Sequence, residues 1–71
     1  MVNIQALKQE IQNSGMTMVA ISKKSGILRE TLYNRLDGIG EFTASEIYGL
    51  SNALKLSNKQ RETIFFAKKV E

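Results

Sequence analysis

Two tetrapeptides, Thr43-Ala44-Ser45-Glu46 and Ser57-Asn58-Lys59-Gln60, constrain this chain most. In each, a hydroxyl leads and a carboxylate or amide closes the box. That pairing lets the two side chains satisfy orphan backbone donors reciprocally at a helix start. After the first box, Ile47, Leu50, Ala53 and Leu54 share one helical face. After the second, Ile64, Phe65 and the stem of Lys68 lie on one side. Starts and stops continue upstream. Asn3 can cap a helix whose inner face is Ile4, Leu7 and Ile11, ending near Ser14-Gly15. Thr17 can cap a short second helix, MVAISKK, which offers Val19, Ala20 and Ile21 for packing and is broken by Gly26. A third helix runs from about Arg29 to Leu36 and stops at Asp37-Gly38. No proline interrupts the pattern. The expectation is an all-α fold of five short helices without strands.

A chain of 71 residues makes one domain, 1–71, with a modest core and marginal stability of its own. Cysteine and histidine are both absent, so neither disulfides nor zinc can staple it. Stability must come from helix packing, helped by dimerisation. The same absences remove the commonest general bases, nucleophiles and metal ligands. No enzyme is expected, and no cofactor or metal. The N-terminal MVNIQALKQEIQ alternates charged and apolar residues, unlike a signal peptide. No apolar run approaches the roughly 20 residues of a membrane span. A cytoplasmic protein is expected, with no membrane partner.

The net charge of +3 is unevenly spread. Residues 1–36 carry Lys8, Lys23, Lys24, Arg29 and Arg35 against Glu10 and Glu30. Residues 37–54 carry Asp37, Glu41 and Glu46 and no base. Residues 55–71 are basic again, with Lys55, Lys59, Arg61, Lys68 and Lys69 against Glu62 and Glu71. A mildly basic surface attracts polyanions such as DNA.

The second helix, Gly26 and the third helix form the arrangement of most interest. Two helices joined by a tight turn make a helix-turn-helix. The turn needs a residue that tolerates positive φ, and glycine does so without steric cost. Ile27 can plug the gap between the helices, and Ala20 and Ser22 are small enough for a close crossing. Leu32 and Leu36 hold the third helix to the core, which leaves Arg29, Glu30, Thr31, Tyr33 and Asn34 pointing largely outward. In the fifth helix Ile64, Phe65 and Phe66 cannot all face one core, because consecutive residues point about 100° apart. One phenylalanine is expected to pack inward and the other to meet a partner.

The stretch MTMVAISKKSGILRETLYNRLDG resembles the helix-turn-helix of the Cro/CI-type phage repressors and their bacterial relatives. The continuation EFTASEIYGLSNALKLSNKQRETIFF resembles small phage-encoded members. The resemblance implies a transcriptional regulator of a phage or prophage that binds double-stranded operator DNA as a homodimer. It would place Thr17 and Met18 beside the DNA backbone, where helix-start amides suit a phosphate. It would put the start of the third helix against base edges. There Arg29 would bond a guanine and Asn34 an adenine, and Glu30 would accept from a cytosine amino group. Thr31 would touch a thymine methyl or a phosphate, and Tyr33 a phosphate or sugar. Lys23 and Lys24 would add sequence-independent attraction.

Three departures from that pattern stand out. Leu28 occupies the position where relatives carry a small hydroxyl cap; a leucine there is expected to be exposed or in an interface, and it is counted with the DNA-contacting residues. Arg35 stands where many bury an aliphatic residue, a task passed to Leu36. The loop Asp37-Gly38-Ile39-Gly40-Glu41 is acidic where many relatives are basic. The acidic loop, Leu28, Ile39 and Glu30 suit an alternative of the same fold: a protein-binding modulator, or antirepressor, that pairs with a cognate phage repressor and blocks its DNA-reading face. An antitoxin-like component would also share the fold.

Overall fold

Four of the five helices begin at a polar side chain that caps them. The computed structural model describes residues 2–66. Within them the order is α1 (Ile4–Ser14), α2 (Met18–Ser25), α3 (Arg29–Leu36), α4 (Ala44–Ala53) and α5 (Asn58–Phe65), with no strand. Asn3 Oδ1 accepts from the Ala6 amide at 3.1 Å, and Thr17 Oγ1 accepts from the Ala20 amide at 3.1 Å. Both boxes close in both directions: Thr43 with Glu46 opens α4, and Ser57 with Gln60 opens α5. The expected all-α class and helix order are therefore observed. Lys68, expected on the inner side of α5, lies outside the described residues.

Each helix sends one fully buried side chain to a common centre: Leu7, Ile21, Leu32, Leu50 and Ile64. Burying an aliphatic side chain of this size contributes about 1.5–3 kcal/mol. Around them pack Ile27, Leu36 and Phe65, with Ile11, Phe42, Ile47 and Leu54 partly covered. Phe42 meets Phe65 edge to face, with ring centroids 5.4 Å apart and planes at 76°. The two phenylalanines of α5's end divide as expected: Phe65 is buried, and Phe66 is 54% exposed. The chain start is tied to α5 by the Asn3 amide, which donates to the Ile64 carbonyl at 2.6 Å.

The main packing pair is α2 against α4, and a glycine sets its distance. A Cβ on Gly49 would lie 2.2 Å from the Ser25 carbonyl oxygen and 3.1 Å from the Ser25 carbonyl carbon. The α4 backbone therefore passes directly over the end of α2. Ser51, buried on the same helix, turns its hydroxyl back onto the Ile47 carbonyl at 2.7 Å and leaves no unpaired polar atom. Helix α4 ends with Lys55 at φ 55, the one described non-glycine residue with positive φ. The Leu56 amide donates to the Ser51 carbonyl at 2.9 Å, and the Lys55 amide to that of Asn52 at 3.3 Å. This is a Schellman stop with lysine at the position glycine usually fills. No described helix is long and apolar enough to cross a membrane.

Two substitutions test this account by thermal denaturation. Gly49→Ala gains helix propensity but drives a methyl into the Ser25 carbonyl, so a net loss of about 1–3 kcal/mol is expected. An unchanged midpoint would contradict the close approach. Lys55→Gly relieves left-handed strain against a greater unfolded-state entropy and should raise stability by up to about 1 kcal/mol.

Candidate nucleic-acid interface

The turn between α2 and α3 is built from serines and one glycine. Gly26 sits at φ 77 and its amide donates to the Ser22 carbonyl at 3.0 Å. The Ser22 hydroxyl donates to the Ile27 carbonyl, and the Ile27 amide donates to Ser25 Oγ at 3.3 Å. Local side chains thus satisfy the turn's backbone, while Ile27 is buried as the expected plug. Leu32 and Leu36 hold α3 down. These contacts fix which face of α3 is left outward.

That outward face carries Arg29, Glu30, Tyr33 and Asn34, all exposed. None of these four side chains has a hydrogen bond or ion pair among the described residues. Glu30 neither pairs with Arg29 nor caps α3, whose cap position, Leu28, makes no side-chain bond. The face is thus free to bond a ligand in both senses: guanidinium and amide donors beside carboxylate and amide acceptors. Thr31, expected to point largely outward, is half-buried.

The residues expected beside a phosphate backbone lie at α2. Thr17 is exposed, and its hydroxyl accepts the cap bond while keeping its own hydrogen to donate. Met18 is half-buried and packs on the core, so its backbone amide is the more available group. Lys23 and Lys24 occupy the last turn of α2 and are exposed, in a position favoured by the helix dipole. Basic groups therefore lie on both sides of the turn, at the end of α2 and the first residue of α3.

Arg35 does a different job. Its Nε bonds Glu46 Oε1 at 3.3 Å, and its Nη1 donates to the Ile39 carbonyl at 3.2 Å. The pair is mostly covered, with side chains 20% and 17% exposed. The guanidinium also lies against Gly40, where an added Cβ would meet it. Arg35 therefore clamps the loop 37–41 against the start of α4 and neutralises one of the three acids of segment 37–54. Asp37, Glu41 and Ile39 remain exposed. Sequence spacing carried no sign of this pair, because the two residues lie on different helices.

Comparison of the chain with family models, with curated proteins and with solved structures gave no match to any.

Arg35→Met keeps the aliphatic stem and removes the clamp. It should cost about 1 kcal/mol and speed amide exchange across residues 37–41, while leaving exchange in α2 unchanged. Unaltered exchange in the loop would show that the loop holds itself.

Proposed function

We propose that this chain is a sequence-specific DNA-binding protein that uses α2, the Gly26 turn and α3 as a helix-turn-helix. More particularly, we read it as a Cro/CI-type transcriptional regulator of a phage or prophage. It occupies operator DNA as a homodimer and has no catalytic role. The observation that carries this reading is the outer face of α3: four exposed hydrogen-bonding side chains with no partner among the described residues, following Lys23 and Lys24 across the turn. In the complex α3 lies in the major groove. Arg29 bonds guanine O6 and N7, Asn34 bonds adenine, and Glu30 accepts from a cytosine amino group. Thr17, the Met18 amide, Lys23, Lys24 and Tyr33 hold the sugar-phosphate backbone. The second copy docks at the α5 end. There half-exposed Phe66 borders a groove of about 540 Å³ lined by Val2, Ile4, Phe42 and Ile47.

One observation favours a second reading. The loop 37–41 exposes Asp37 and Glu41, which repel phosphate and suit a basic protein face, and Ile39, which suits an apolar one. On that reading the chain is an antirepressor that covers a cognate repressor's DNA-reading surface.

Selection from a random duplex library at about physiological salt separates the two. The DNA reader enriches a two-fold symmetric site with half-sites about 34 Å apart, and its affinity falls steeply with salt. On the enriched site Arg29→Ala should cost about 1–3 kcal/mol and relax preference at one base pair. A folded protein that enriches nothing at any salt contradicts the DNA reading, and unchanged binding by Arg29→Ala contradicts the assignment of α3.

A further inference from the structure

Leu28 is anomalous on two counts. It fills the cap position of α3, where the other four helices place Asn3, Thr17, Thr43 and Ser57, each accepting a backbone N–H. Leucine is among the poorest residues for that position. It is also 77% exposed, more than any other large hydrophobic side chain among the described residues. It therefore neither caps the helix nor packs in the core. The same position is bracketed by positive charge, with Lys23 and Lys24 ahead of the turn and Arg29 immediately after. An apolar group flanked by cations suits a ligand that is anionic along its edges and carries a small apolar group between them.

We infer that Leu28 is a specificity-determining contact to the C5 methyl of a thymine in the major groove, next to the base bonded by Arg29. This rests on the DNA-reading proposal above and adds one base to it. Thymine is the one base of DNA that presents a methyl group in the major groove, and apolar side chains read it by contact. Thr31 was expected to touch such a methyl or a phosphate, but it is half-buried, whereas Leu28 is exposed. Leu28, 77% exposed, stands at the N-terminal end of α3, the end that the DNA-reading proposal turns toward the groove. The missing cap follows from this role. A serine or threonine here would turn its hydroxyl onto the α3 amides and offer the base no apolar surface.

The test uses the full chain and the duplex it selects. Uracil replaces thymine at one position at a time, which removes the methyl and nothing else. At one thymine per half-site, binding by the natural chain should weaken about fourfold, the effect of burying a single methyl group. Leu28→Ser should lose that discrimination and bind the thymine and uracil duplexes within about 1.5-fold of each other. The same variant gains a cap, so its melting midpoint should rise by about 4–8 °C. A lowered midpoint would show that Leu28 packs within the protein and would overturn the inference. Equal binding of every uracil-substituted duplex by the natural chain overturns the methyl contact while leaving the DNA-reading proposal intact. Discrimination that persists in Leu28→Ser assigns the methyl to another residue and also overturns it. Failure to select any duplex overturns both.

Discussion

The absence of a side chain at Gly49 is the constraint on which the rest of the structure depends. It lets the α4 backbone lie on the Ser25 carbonyl, so the end of α2 is fixed from above. The turn begins at the next residue, Gly26. Its direction, and hence the face that α3 turns outward, is set from that fixed end through Ser22, Ser25 and buried Ile27. A small domain without cysteine has few ways to hold a helix this firmly. Here a backbone-to-backbone approach does so, supported by one fully buried side chain from every helix.

The second constraint is electrostatic. The acidic middle of the chain looks unsuited to a polyanion when read as a run of charges. In three dimensions Arg35 takes up Glu46 and draws the loop 37–41 toward α4. The basic groups Lys23, Lys24 and Arg29 gather around the turn, at the opposite end of α3 from Asp37 and Glu41. The Gly26 turn is thus the more basic surroundings of α3 and the loop after it the more acidic, although α3 itself carries Glu30 in its first turn and Arg35 in its last.

Much of the fold was legible in the sequence because its signals are local. Capping residues and helical periodicity act within one or two turns, so all five helices, the Gly26 break and the division of Phe65 from Phe66 could be read directly. What escaped depends on pairs of residues distant in sequence. Gly49 reads as an ordinary weak helix residue until Ser25 is placed beneath it. Arg35 reads as a surface base until Glu46 arrives from the next helix. Lys55 has no sequence mark of a left-handed residue, since glycine or asparagine usually signals that conformation. Thr31, expected to point largely outward, is half-buried, so the covered part of α3 is wider than Leu32 and Leu36 alone define. For the candidate interface, the residue types were legible. That Arg29, Glu30, Tyr33 and Asn34 all lack side-chain partners among the described residues was not, because that depends on what the neighbouring elements offer them.

The central claim is that the turn and the outer face of α3 meet DNA. The most direct measurement is amide chemical-shift mapping of the isotope-labelled chain during titration with a mixed-sequence duplex at low salt. Non-specific phosphate contacts suffice for binding under those conditions. The account predicts shifts concentrated at residues 17–18, 23–24 and 28–34, reversed by added salt. Shifts centred on the loop 37–41, or none in a folded protein, would contradict it.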